Sequence, residues 1–312
     1  MTQPQVCIAG ATGYLGSRLV AQLRARSIPV RAILKDRNCE TDQCRMNALG
    51  ATLAFVDASL IGSYSEALSG AEVAISCMAS GNVHVDSTND FWAIDRDANI
   101  RFGLEAVCAG AKHVILVATF EGRDSRKLTE FSDAKEGAVD AIGAACRQAG
   151  AAFTVIRPTA YFSDLTNRAF DSVQKKGTYT VIGDGSCRIN PIDGDDVAVF
   201  ITDCISDPKQ AGREHQIGGP ETFTFREIGL LAAEVIGLPY PLKVRSIPLW
   251  PLRVLAAMAG MAGCALRKSR RSAAILKWMI YSSTHDAVAV TCGTHRLYDE
   301  FCSKRDAVRP AV

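Results

Sequence analysis

Val6-Cys7-Ile8-Ala9-Gly10-Ala11-Thr12-Gly13-Tyr14-Leu15-Gly16 is the stretch that decides the fold. Four apolar residues stop at Gly10. From Tyr14 to about Ala25 the apolar positions Leu15, Leu19, Val20 and Leu23 then share one helical face. A bare glycine triplet is weak evidence. One that leaves a predicted strand and opens a predicted helix is a strong sign of a dinucleotide turn. In that setting Gly10 permits the tight turn, Gly13 lets backbone approach a pyrophosphate, and Gly16 allows close helix packing. The first N–H groups of the helix then offer the phosphates a partial positive charge. The competing reading is a tight strand-to-helix turn with no ligand.

Working outward, further apolar runs follow at Val30 to Leu34, Ala54 to Val56, Val73 to Cys77, His113 to Val117 and Phe153 to Arg157. Helical spacing fills the gaps at about Cys44 to Leu49, Ser63 to Leu68, Ile94 to Ala109 and Ser132 to Ala149. Continuous apolar strands alternating with helices imply a parallel sheet covered on both faces, a doubly wound α/β (Rossmann) fold. Residues 1–158 are therefore read as the NAD(P)-binding domain. After Pro158 the pattern changes, and residues 159–312 are read as a smaller, mostly helical substrate lobe interleaved with the sheet. His215-Gln216-Ile217 reads as a strand returning to the sheet near 215–218. Thr224 and Glu227 have the spacing of a capping box, and Asp193-Gly194-Asp195-Asp196 reads as the cap of a helix starting near Val197.

The 312 residues carry 35 Lys plus Arg against 33 Asp plus Glu, a net charge of +2. A balance so near zero gives no support for a nucleic-acid partner. The 11 cysteines are odd in number and scattered, with no CxxC. They are read as mostly free thiols in a reducing, cytoplasmic setting, a disulfide framework being the alternative. The amino terminus lacks a basic region followed by an apolar one, so no secretory signal is expected. His84, His113, His215, His285 and His295 are isolated from one another and are read as structural, so no metal is assigned.

The strand ends carry the chemistry. A basic residue after the second strand suits a 2′-phosphate and an acidic one a ribose 2′-hydroxyl. Lys35 and Arg37 favour NADPH; Asp36 between them is the competing reading. Asp57, after the third strand, could accept from an adenine amino group or simply form a turn. Cys77 and Met78 close the fourth strand, where a dinucleotide would lie against the sheet edge. In Phe131-Ser132-Asp133-Ala134-Lys135, short-chain dehydrogenases would have a Tyr four residues before the Lys, its pKa depressed by the ammonium. Phe131 has no proton to give. Lys135 remains, able to bond a nicotinamide ribose or relay a proton, and Thr119 stands where such enzymes usually have a Ser.

GATGYLG (10–16), VRAILK (30–35), AISCMAS (74–80), FWAID (91–95), FSDAK (131–135) and IRPTAYF (156–162) occur in that order. Together they resemble the atypical, NmrA-like branch of the short-chain dehydrogenase/reductase superfamily. Within it the chain is most similar to the divinyl chlorophyllide reductase family, which shares the Phe before its Ala-Lys pair, a GDG turn (183–185) and an IGGP segment (217–220). The likeness runs from about residue 5 to 255, with a faint return at 293–301. It departs in the loop GNVHVDSTND (81–90) and in the carboxyl-terminal lobe, where a substrate would be chosen. The resemblance implies an NADPH-dependent reductase delivering hydride to a conjugated carbon–carbon or carbonyl double bond of a bulky apolar substrate. Carried over by position, Gly10, Thr12, Gly13, Tyr14, Leu15, Gly16 and Lys35 would hold the cofactor. Lys135 would orient the nicotinamide ribose, and Pro158, Thr159 and Phe162 would flank the ring. The rival reading is a nucleotide-binding sensor without catalysis, as some NmrA-like proteins are.

Ile247 to Leu266 has a single charge, Arg253, and runs into Arg267-Lys268-Ser269-Arg270-Arg271. The preferred reading is a lobe helix lining an apolar pocket. Peripheral contact of 247–271 with a membrane surface is the second reading, and a span the third, admitted by length alone.

Overall fold

The computed structural model describes residues 3–35, 39–57, 60–80, 91–238, 240–262 and 267–308. Arg37 and the loop 81–90 lie outside the described residues. In chain order the first half contains β1 (Val6–Ala9), α1 (Tyr14–Ala25), β2 (Val30–Leu34), α2 (Glu40–Ala48), β3 (Thr52–Phe55), β4 (Val73–Ser76), a π-helical segment (Trp92–Ala98) running into α3 (Asn99–Cys108), β5 (His113–Val117), α4 (Gly122–Ser125), α5 (Glu130–Ala149) and β6 (Ala152–Pro158). The second half adds α6 (Phe162–Lys176), β7 (Thr178–Ile182), β8 (Arg188–Ile189), α7 (Gly194–Ser206), β9 (Glu214–Gly218), β10 (Phe223–Thr224), α8 (Phe225–Ile236), β11 (Lys243–Ile247), α9 (Leu249–Ala262), α10 (Arg267–Ser282), β12 (Val290–Thr291) and α11 (Leu297–Val308).

The main sheet has eight parallel strands in the order β12-β9-β6-β5-β4-β1-β2-β3. It is a doubly wound Rossmann-type sheet. Strand β1 shows why both faces must be covered. Val6 and Ile8 point into one core with Leu19 and Leu23 of α1 and Val197 and Ile201 of α7. Cys7 and Ala9 point into the other with Phe102 and Ala106 of α3 and Ala138 and Ile142 of α5. The second half of the chain thus completes the first, through α7, β9 and β12. A third core, around Phe170, Tyr179, Ile228 and Phe301, belongs to the lobe.

Two local expectations change. Ser63 to Leu68 forms turns, not a helix. The N–H groups of Gly62 and Tyr64 donate to the Glu105 carboxylate (both 2.9 Å), while Tyr64 and Leu68 are buried beneath the sheet. The single helix expected from Ile94 to Ala109 begins π-helical. Where the ladder widens, the Asn99 amide donates to the Ile94 carbonyl (2.9 Å) and the Asp95 carbonyl (3.2 Å). The capping box of Thr224 and Glu227 forms at α8, and Asp193 caps α7 by accepting from Asp195 N–H. Within the apolar carboxyl-terminal segment, Ile247 closes β11 and the helix starts at Leu249. Ala256 is buried against α10, while Trp250, Val254, Met258 and Met261 are exposed. Among the described residues no helix is long and apolar enough to cross a membrane.

Candidate active site

Parallel strands bring their carboxyl ends to one rim, and the chain crosses there from β3 at the edge to β4 on the far side of β1. The crevice at such a switch point is where α/β sheets bind dinucleotides. The glycine turn fills it tightly. Gly10 has φ +77°, and a Cβ on it would lie 2.9 Å from the carbonyl of Cys77. A Cβ on Gly16 would lie 2.1 Å from the Gly10 oxygen. Gly13 starts α1 with no side chain capping its first N–H groups, which leaves a cradle a phosphate would fit. Leu15 is buried in the core, and the Thr12 carbonyl accepts from the Arg45 guanidinium. Tyr14 packs edge-to-face on Tyr161 at 5.3 Å and carries the Arg18 guanidinium 3.9 Å over its ring.

Lys35 follows β2 and is exposed. Asp57 lies two residues beyond β3, exposed, with its carbonyl accepting from Leu60 N–H in a turn. Cys77 continues β4 by donating its N–H to Ala9 (2.9 Å), and burial pushes its thiol up to about 12. The Met78 carbonyl accepts from the Lys135 ammonium at 2.7 Å. Lys135 is buried, and its Nζ lies 3.0 Å from Oδ1 of Asp95, which is wholly buried; the other Asp95 oxygen accepts from Ser80 N–H. Asn99 ties the same corner, accepting from Ser76 and donating to the Met78 carbonyl.

Lys135 owes its position to the start of α5. Thr129 caps that helix by accepting from Ser132 N–H, and the hydroxyls of Ser125, Thr129 and Ser132 form a buried chain. One turn before Lys135, Phe131 packs edge-to-face on Phe91 (5.3 Å) and Trp278 (6.4 Å), with Ala274 and Ile275 of α10 beside them. The position a catalytic Tyr would occupy is therefore part of an aromatic wall.

Thr119 follows β5. Its buried hydroxyl has no partner among the described residues, and its carbonyl accepts from Arg157 at 2.7 Å. Arg157 itself is wholly buried, bound by both oxygens of Glu136 and by Glu214. Pro158 ends β6. The Thr159 hydroxyl is committed to the Asn190 carbonyl (2.6 Å). Phe162 is 2% exposed and sits in the lobe core with Phe170 and Tyr179. The structure thus brings together the glycine turn, Cys77, Met78 and Lys135, and places Phe162 in a different cluster. Asp95, Asn99 and Tyr161 were not singled out from sequence, although FWAID and IRPTAYF contain two of them. The π-helical turn that presents Asp95 is the signal that marks it, and periodicity does not reveal such a turn.

The sequence model of a family described as NAD(P)H-binding matches residues 10–208. The chain is 31% identical over 274 residues to the chloroplastic divinyl chlorophyllide a 8-vinyl-reductase of Oryza sativa subsp. indica, covering 82% of this chain and 65% of that protein. The corresponding Zea mays protein is 29% identical over 274 residues, with 82% and 67% covered. The chain thus spans about two thirds of the length of these relatives. Among solved structures, an NADPH-dependent quinone oxidoreductase of Escherichia coli complexed with NADPH superposes with a TM-score of 0.73 at 16% identity, covering 96% of this chain and 99% of that one. The Citrobacter sp. triphenylmethane reductase complexed with NADP(H) gives 0.71 at 18% identity, with 96% and 99% covered. These last two share the fold. With the glycine turn, the switch-point crevice and the family match in agreement, the chain belongs to the NAD(P)H-binding family, built on a Rossmann-type fold.

Proposed function

We propose that the protein is an NADPH-dependent reductase that adds hydride to a conjugated double bond of a bulky apolar substrate, in the manner of a divinyl chlorophyllide reductase. The observation that carries this reading is Lys135, buried against Asp95 and Met78 at the strand rim, one helical turn from an aromatic wall in place of a catalytic Tyr. Gly10, Thr12, Gly13, Tyr14, Leu15 and Gly16 would seat the pyrophosphate. Lys35, with Arg37, favours the 2′-phosphate, and Asp57, Cys77, Met78, Pro158 and Thr159 would line the remaining rim. Reduced nicotinamide supplies the hydride when bound. Reduction of an alkene needs a proton at carbon as well, so a phenol aimed at a carbonyl oxygen is dispensable. Lys135, Thr119 and solvent are the proton sources the site offers. Phe131, Phe91 and Trp278, packed edge to face, would exclude water and give a conjugated substrate an apolar neighbour. The exposed apolar residues of α9 support peripheral contact with a membrane from which such a substrate would come.

The test is titration with NADPH and NADH, followed by nicotinamide oxidation with conjugated enones and divinyl tetrapyrroles, beside Lys135→Ala. NADPH-preferring turnover that collapses in the variant is the expected result. The lack of a hydroxyl at Phe131 favours a second reading, a sensor without turnover; tight NADPH binding with no turnover on any of these compounds would establish that one instead.

A further inference from the structure

Arg271 lies in the first turns of α10 with its guanidinium carbon 4.7 Å from the centre of the Phe91 ring. Its Nε and Nη2 are buried and have no hydrogen-bond partner among the described residues. Two buried guanidinium N–H groups without an acceptor are costly, and contact with an aromatic face returns only part of that cost. Nε and Nη2 are the two nitrogens whose N–H bonds run side by side, the edge that grips a carboxylate with two parallel bonds. Phe91 packs on Phe131, Phe131 packs on Trp278, and Ala274 and Ile275 fill the space between. Positions 271, 274, 275 and 278 form one face of α10. The same aromatic wall that stands one turn from Lys135 therefore ends in an unanswered bidentate donor.

We propose that Arg271 receives a carboxylate arm of the substrate, so that the site selects a flat, apolar, conjugated molecule carrying one free acid group. This rests on the reductase reading above. The wall supplies contact area without direction, whereas the guanidinium fixes which way round the molecule lies and so which double bond meets the nicotinamide. Chlorophyllide, the pigment class in the names of the curated relatives, has that chemistry: a conjugated macrocycle with a free propionate.

The experiment measures binding of chlorophyllide a and of its methyl ester to the NADP+-loaded protein, by quenching of tryptophan fluorescence. The free acid is expected to bind more tightly by roughly 10- to 100-fold, the span of a charge-assisted bond lost to esterification. Arg271→Met should abolish that ratio, weakening the acid and leaving the ester unchanged, while NADPH affinity and melting temperature hold. Arg271→Lys should keep part of the ratio, since it retains the charge and loses the fork. A ratio near one in the native protein overturns the inference without touching the reductase reading, and so does a ratio that survives Arg271→Met. If Arg271→Met does not fold, Arg271→Lys and the native ratio decide. Binding of neither pigment to a protein that still binds NADPH overturns the inference and leaves the reductase reading to the turnover test above.

Discussion

The ammonium of Lys135 lies 3.0 Å from a carboxylate oxygen of Asp95, with the two side chains 5% and 0% exposed. The pair joins α5 to the π-helical turn before α3, and the Met78 carbonyl and Ser80 N–H complete its bonding. A buried pair of this kind costs more when halved than when removed, because the surviving charge has no counterion. Asp95→Leu and Lys135→Met should each lose about 3–5 kcal/mol in urea unfolding. The double variant should recover most of that loss. Turnover should be absent from Lys135→Met and from the double variant alike, which separates the chemical role of the ammonium from its structural one.

The three glycines of the turn should separate in the same way. A Cβ on Gly16 meets the Gly10 oxygen at 2.1 Å, so Gly16→Ala must push α1 off the strand and lower the melting temperature. Gly10→Ala adds a left-handed strain at φ +77° to a clash with Cys77 backbone. Gly13→Ala meets only the Gly10 oxygen, at 3.3 Å, which a small shift relieves. It should fold normally yet bind NADPH more weakly, by roughly tenfold or more, because its methyl group occupies the phosphate's approach. Calorimetry beside nucleotide titration checks both halves.

The centre of the sheet was legible in the sequence because β1, β4 and β5 are apolar runs and the turn after β1 carries its glycines. β1 is the clearest instance, since Val6, Cys7, Ile8 and Ala9 are all buried and the two faces need helices of their own. Lys135 was legible through its spacing from Phe131. Its partner was not, because an Asp inside an amphipathic segment reads as a solvated helix face until a widened turn rotates it inward. Residues Ser63 to Leu68 have helical spacing, yet Glu105 takes the N–H groups of Gly62 and Tyr64 from 43 and 41 positions away, a contact that local pattern does not carry. The short strands β8, β10 and β12 are of two residues each; β8 and β10 pair only with each other and β12 pairs with β9, distant partners that local pattern does not reveal. Arg271 was read as the end of a basic run. Its burial over Phe91 depends on α10 folding back onto α5, which no feature of the run itself foretells.

His113 gives the protein a pH dependence with a definite sign. It opens β5, is 7% exposed, and its Nε2 lies 2.7 Å from the hydroxyl of Thr154. That hydroxyl accepts from Gly212 N–H, which leaves its own proton for the imidazole. Burial lowers the His113 pKa from its ordinary 6.5 to about 4. The unfolded chain therefore takes up this proton first as the solution is acidified. Stability from this group is complete above pH 6.5, drains away between 6.5 and about 4, and changes no further below that. The loss over the window is on the order of 3 kcal/mol. His113→Asn keeps a polar group beside Thr154 and removes the titration. Denaturant unfolding of both proteins at half-unit pH steps should show the native protein falling more steeply than the variant between 6.5 and 4, with parallel curves on the alkaline side. Carboxylates shared by both proteins cancel in the difference, so a difference curve that stays flat through that window would mean that the imidazole is hydrated and not enclosed by β5 and β6.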